Sequence, residues 1–263
     1  MEIIDSIPLV AVIFLLGYGF LKILTGLRSE GVHYILKGID VAVLCFVAWF
    51  ALTTADAFSS ILVGKGVEAS WNSLSNDGVV GNLATTGEKV RDWFVWESKV
   101  EGILALTIVF QPLASMVSAG TLPWRLLMSY SLFWIWGTYY VSMIMRYAWP
   151  PMLTIGATLL TVPHLRRIGA PLYALALVYG PALVLCANVA AAALNNPNLS
   201  GVPSPDLFSF DLDYFINILS KMESAAKAVF EAATKIMIIH IVAGGVSAGV
   251  SGALGGPGIR LRA

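Results

Sequence analysis

Long apolar runs without charged residues alternate with short charged segments along this chain of 263 residues. The uncharged runs are 102–124, 126–145, 147–165, 168–205 and 236–259. A helix needs about 20 mostly apolar residues to cross a hydrocarbon layer of roughly 30 Å. Because several runs reach that length, the pattern predicts an all-α, polytopic integral membrane protein.

Charges, prolines and glycines divide the apolar sequence into about seven predicted transmembrane spans. These spans are 7–24, 40–63, 102–119, 123–147, 149–163, 168–194 and 236–254. The fifth span has only 15 residues and would rise about 22 Å, so we expect it to be tilted, broken or re-entrant. Two longer segments, 64–101 and 195–235, connect the spans, and we expect one membrane domain over 1–263.

Composition supports a membrane protein and argues against a soluble enzyme. Apolar residues make up 57% of the chain and charged residues 12%, with 16 basic against 16 acidic side chains. Soluble domains are only about 45–50% apolar. The predicted spans leave no room for a separate catalytic domain, and the three histidines lack metal-ligand spacing. We therefore assign no catalytic residue, no cofactor and no metal site.

The Lys and Arg totals on the two sides of the predicted spans are nearly equal, but one side holds its basic residues in short stretches. They are Arg28, Lys37, Arg125, Arg166, Arg167, Arg260 and Arg262. Short loops rich in Lys and Arg remain on the cytoplasmic side of a membrane. The sequence therefore predicts a multi-pass protein of the cell membrane, in contact with lipids, with its N-terminus outside and its C-terminus in the cytoplasm. Segments 64–101 and 195–235 are then external.

Asp56 is a carboxylic acid inside the second apolar run. A carboxylate is costly there unless it faces a wet cavity or a partner, which favours a role in lining a pore or an ion pathway. Asp56 also lies near the predicted outer end of the span, where an interfacial, hydrogen-bonded carboxylate is equally compatible with the sequence.

Small residues recur every four positions in the last predicted span. They are Gly244, Ala248, Gly252 and Gly256. Such a row lets two helix backbones approach closely in lipid. The partner is either another span of the same chain or the same helix in a second subunit, so the chain is a possible homo-oligomer.

The most specific segment runs from Trp149 to Pro181. It reads as a short helix that begins with prolines, a cytoplasmic turn at Pro163 that Gly169 closes, and a small-residue helix interrupted at Gly180 and Pro181. A broken helix pair of this kind can line a cavity where freed backbone groups meet water.

This segment resembles the central helical hairpin of the archaeal DNA-import membrane protein family CedA. That family is distantly similar to the polytopic inner-membrane channel subunit of conjugative type IV secretion systems. The matching positions are Pro151, Gly156, Pro163, Arg166, Gly169, Leu172, Ala174, Ala176 and Pro181. The resemblance implies a channel subunit for translocated DNA, working with small pilin-like membrane subunits and a cytoplasmic ATPase.

A channel subunit would meet DNA at the cytoplasmic mouth, where Arg166 and Arg167 can attract phosphates. The same two arginines can instead serve only to set the topology. Two other classes of function remain open. A small-solute or ion transporter would use Asp56 and the broken helices, and an assembly scaffold of a membrane machine would conduct nothing.

Overall fold

A computed structural model describes residues 7–63, 77–106, 111–202 and 212–255. Within these ranges the regular structure is helical, so the all-α fold class is confirmed for them. The helices are α1 (Ile7–Leu24), α2 (Arg28–Val63), α3 (Asp77–Ala105), α4 (Gln111–Leu160), α5 (Arg166–Leu194), α6 (Pro197–Ser200) and α7 (Leu212–Ala253). A short 3-10 helix over Pro163–Leu165 connects α4 to α5.

Among the described residues, three helical segments are long and apolar enough to cross a membrane by length and composition. They are Arg28–Leu52, Pro163–Leu194 and Ile216–Ala253, and a shorter apolar helix covers Pro8–Leu24. The helix α1 has the bounds expected for the first span, 7–24.

The chain folds into two compact units. The first unit contains Met1–Asp77, Ser142–Leu185 and Ile239–Ala263, and the second contains Gly78–Val141 and Cys186–Ile238. The sequence analysis treats the chain as one domain, because apolar runs continue through both units.

In the first unit, α1 and α2 form a tight antiparallel hairpin. Gly26 ends α1 with a φ of +87°, a conformation that glycine adopts without steric cost. A Cβ atom on Gly19 would lie 2.8 Å from the carbonyl oxygen of Gly31, so the two backbones cross in near contact. The Lys22 ammonium lies 3.0 Å from the Glu30 carboxylate beside the turn. Because Gly19 and Gly31 have no side chains, the two backbones can approach this closely. The Lys22–Glu30 ion pair lies beside the same turn.

The second unit is a helical bundle with buried rows spaced as in a coiled coil. On α3 the buried row alternates steps of three and four residues, and its members are Val79, Leu83, Thr86, Val90, Trp93, Glu97, Val100 and Leu104. A 3.5-residue repeat keeps one seam of a helix against its neighbours. Side chains also bond across the bundle: Thr86 donates to the Ala190 carbonyl at 3.1 Å, and Trp93 donates to the Leu199 carbonyl at 3.3 Å.

The helix α4 is one continuous helix of 50 residues, whereas the sequence analysis predicts a break between spans 123–147 and 149–163. Pro150 and Pro151 lie inside it without ending it. Where water is scarce, an unbroken helix keeps the remaining backbone groups paired, which outweighs the bonds that proline loses. At about 1.5 Å per residue α4 is roughly 75 Å long, more than twice the roughly 30 Å thickness of a hydrocarbon layer.

Arg125 on α4 forms ion pairs with two acids of α3. Its Nη1 atom lies 3.3 Å from Glu101 Oε1, and its Nε atom lies 3.2 Å from Glu97 Oε2. Side chains in contact cannot lie on opposite faces of a layer roughly 30 Å thick. These contacts do not fit the predicted topology, in which the span 102–119 separates an external Glu101 from a cytoplasmic Arg125.

Candidate functional site at the central helical hairpin

The end of α4 and the start of α5 form the hairpin that the sequence singles out, and they pack at backbone distance. A Cβ atom on Gly156 would lie 2.6 Å from the Tyr173 backbone nitrogen. One on Gly169 would lie 2.8 Å from the Leu160 nitrogen and 2.9 Å from the Gly156 carbonyl oxygen. These two glycines permit a contact that any side chain would prevent.

Trp149 on α4 forms a hydrogen bond to α5 near this crossing. Its Nε1 atom donates to the Ala176 carbonyl at 2.7 Å, and its ring occupies the space beside Gly180, where a Cβ atom would lie 2.6 Å from Nε1. Trp149 is fully buried. The sequence suggests a cavity lined by this helix pair, but beside Gly180 the space is occupied by the Trp149 indole ring.

The predicted interruption at Gly180 and Pro181 is wrong, because α5 continues through Pro171 and Pro181. The predicted closing role of Gly169 is wrong as well, since α5 begins at Arg166 and Gly169 lies in its first turn. Pro163 does begin the turn between the helices, at the first position of the 3-10 helix. The hairpin is therefore a packed pair of helices, and both helices are continuous.

Tyr173 connects the hairpin to α2. Its hydroxyl group donates to the Leu44 carbonyl at 2.8 Å, and its side chain is buried. A helix carbonyl already accepts a backbone bond, so this is a second bond to the same oxygen. The Gly156 contact brings Tyr173 against α4 at the same time. Tyr173 is therefore the residue through which α2, α4 and α5 meet.

Arg166 and Arg167 are both exposed at the turn of the hairpin. The Arg166 side chain donates from Nε to the Leu160 carbonyl at 3.0 Å. A cation is favourable at a helix C-terminus, where carbonyl groups lack backbone partners. Arg166 therefore caps α4, and the rest of its guanidinium group remains available with Arg167 to an external anion.

Asp56 lies on α2, but its side chain is outside the part of the chain that the structure describes. Gly256, Arg260 and Arg262 also fall outside the described residues.

The buried row at the end of α7 is Ala243, Ser247 and Ser251. The predicted packing row lies one residue further on: Gly244 and Ala248 are half-buried, and Gly252 is exposed. A Cβ atom on Gly244 would first meet the Tyr179 hydroxyl, at 3.9 Å. Several neighbouring positions in this segment are Gly, Ala or Ser, so the sequence pattern fits more than one row.

The sequence does not reveal the cluster in the second unit in which the buried residues Glu97 and Thr121 meet the partly exposed Glu101 and Arg125. Glu97 is 1% exposed, and neither of its carboxylate oxygens accepts a hydrogen bond within the described residues. Burial raises the pKa of Glu97, against the lowering effect of the Arg125 cation. The sequence feature that could have identified this cluster is Glu97 itself, an acid at a core position of the 3.5-residue repeat of α3.

The described residues contain no group of three or more His, Cys, Asp or Glu side chains placed to hold a metal ion. No family model, curated protein or solved structure matches this chain. Its function is therefore inferred from its own residues and their geometry.

Proposed function

We propose that this chain is an integral membrane subunit of an archaeal DNA-import apparatus of the type IV secretion-like class. It works there with translocated DNA, small pilin-like membrane subunits and a cytoplasmic ATPase. The observation that carries the proposal is the exposed pair Arg166 and Arg167 on a turn that glycine crossings hold in place. Exposed cations on a fixed turn suit an electrostatic contact with a phosphate backbone.

The membrane-embedded part in this proposal is the first unit. Its helices expose large apolar side chains such as Phe14, Phe46, Ile144 and Ile241. Large exposed apolar side chains of this kind suit contact with lipid. Five segments would then cross the cell membrane: α1, the first part of α2, the last part of α4, the first part of α5 and the end of α7. An odd number keeps the N-terminus outside and the C-terminus in the cytoplasm.

The DNA path lies outside the hairpin in this proposal. Trp149 and Tyr173 are buried between the helices, together with Leu153 and Ala157, so side chains fill the interior of the hairpin. A strand with its phosphates needs a wide, polar path with basic groups along it. The path is therefore formed between several copies of this chain or between this chain and other membrane subunits, with Arg166 and Arg167 at its cytoplasmic mouth.

Arg167→Gln tests the proposal more cleanly than a change at Arg166, which also removes the cap on α4. We expect reduced DNA transfer between cells, with normal membrane insertion and protein level. The control is Arg91→Gln, which removes an exposed arginine from α3. Arg167→Gln could instead lower membrane insertion and leave DNA transfer per inserted molecule unchanged. In that case Arg167 sets the topology, and the proposed DNA contact is refuted.

A non-conducting assembly scaffold is the second candidate function. It is favoured by the helical bundle of the second unit, whose buried rows follow a coiled-coil repeat. A scaffold would keep the apparatus assembled without contributing to the path. It predicts that Arg167→Gln has no effect on transfer, whereas loss of the whole chain dissociates the other subunits.

A further inference from the structure

The helix α3 carries a carboxylic acid in the most buried row of the second unit. Glu97 is 1% exposed, between Trp93 and Val100 in that row. The Arg125 Nε atom lies 3.2 Å from Glu97 Oε2. The Nη1 atom of the same guanidinium group lies 3.3 Å from Glu101 Oε1. Two carboxylates one helical turn apart therefore share one arginine, and the cluster has a net charge of −1 when both are ionised.

The hydrogen bonds of the cluster do not satisfy an ionised Glu97. Thr121 is the nearby hydroxyl group, but it donates its proton to the Val117 carbonyl at 2.9 Å. Neither oxygen of Glu97 accepts a hydrogen bond within the described residues. A buried carboxylate normally accepts several such bonds, and the charge is costly without them. A carboxyl group that carries a proton avoids most of that cost.

Other elements of the second unit bring few charges to this place. The last turns of α5 and the short helix α6 contain no charged residue. From α7, Lys227 pairs with Glu223 and lies 5.6 Å from the ring of Trp124, the residue before Arg125. Arg125 on α4 and Glu101 on α3 are thus the charged groups in contact with Glu97 among the described residues.

We propose that Glu97 is a proton-binding site that controls the contact between α3 and α4. With the proton bound, the Glu97 hydroxyl can donate to the Thr121 oxygen, and Arg125 pairs with Glu101 alone. When the proton leaves to solvent, Arg125 must serve two carboxylates inside the bundle. This site is independent of the proposed role in DNA import.

The sign of the pH dependence follows from the buried charge. An acid that is harder to ionise in the folded state than in the unfolded state weakens the fold at higher pH. Lowering the pH from about 8 to about 5 should therefore stabilise the folded chain. Glu97→Gln keeps the shape of the protonated group and removes its titration, so the Tm of this variant should change less over the same range.

Thermal unfolding of the full chain in detergent at several pH values tests the proposal. We expect the Tm of the wild-type chain to rise by roughly 2–4 °C more on acidification than that of Glu97→Gln. Glu88→Gln, which changes an exposed acid on the same helix, should respond like the wild type. Equal responses of the wild type and Glu97→Gln would overturn the proposal.

A second measurement decides if Glu97→Gln does not fold. The infrared C=O band of a protonated carboxylic acid can be followed in the wild-type chain during a pH titration. We expect part of this band to appear at a pH above the ordinary glutamate pKa of about 4.3. A band that develops only near that ordinary value would refute a protonated Glu97.

Discussion

Replacing Gly156 with alanine tests the close crossing of α4 and α5, on which the position of the arginine turn depends. The added methyl group would lie 2.6 Å from the nitrogen and 2.8 Å from the Cα atom of Tyr173. Both are backbone atoms, so they cannot rotate away as a flexible side chain does. The two helices must separate, or the Tyr173 bond to Leu44 must break.

The expected cost of this substitution is set by two opposing effects. Overpacking in a well-packed core costs about 1–3 kcal/mol. Alanine recovers about 0.5–1 kcal/mol of helix stability relative to glycine. A net loss of about 1–2 kcal/mol remains, or roughly 2–8 °C in Tm for a chain of this size class.

Gly137→Ala is the matched control, because it lies on the same helix and its added Cβ atom would have no neighbour within 4 Å. We expect this variant to be unchanged or slightly more stable. The assay is thermal unfolding of both variants in the same detergent, followed by loss of the monodisperse species. If Gly156→Ala is as stable as Gly137→Ala, the backbone contact at Gly156 does not exist.

Three further predictions address the other contacts. Arg125→Met removes the cation 3.2 Å from Glu97, so Glu97 becomes harder to ionise; in thermal unfolding at several pH values we expect Tm to fall more steeply at higher pH than in the wild type, and substantial rescue when Glu97→Gln is added. Trp149→Phe removes one buried donor and should cost about 0.5–1.5 kcal/mol, whereas Trp149→Ala should cost about 3–5 kcal/mol; a Trp149→Phe variant as stable as the wild type would refute the bond to Ala176. A single cysteine at Thr85 should react with a membrane-impermeant reagent applied outside cells, and one at His164 should not; the opposite labelling pattern would contradict the proposed orientation.

The sequence predicts the helices well where local composition alone decides them. The helix α1 follows from an uncharged apolar run that ends before the Gly26 turn. Gly156 and Gly169 are also identified from the sequence, and both lie at the backbone crossing. Gly137 lies on the same helix as Gly156 and has no neighbour within 4 Å of an added Cβ atom, so it is the spacing of the hairpin motif, and not glycine alone, that identifies the crossing.

Features that depend on contacts between distant segments are not predicted. Arg125 and Glu101 read from the sequence as markers of opposite membrane faces, yet they form an ion pair. Pro150 and Pro151 read as a helix boundary, but they lie within α4. In each case a local rule is overridden by packing against another helix, which single-sequence patterns do not reveal.

Transfer of chromosomal markers between cells tests the proposed function most directly. Cells that lack this chain should lose DNA uptake, and the wild-type chain should restore it. Arg167→Gln should restore only part of it at equal membrane abundance, while Arg91→Gln should restore it fully. Cells without the chain that take up DNA at the normal rate would contradict the account.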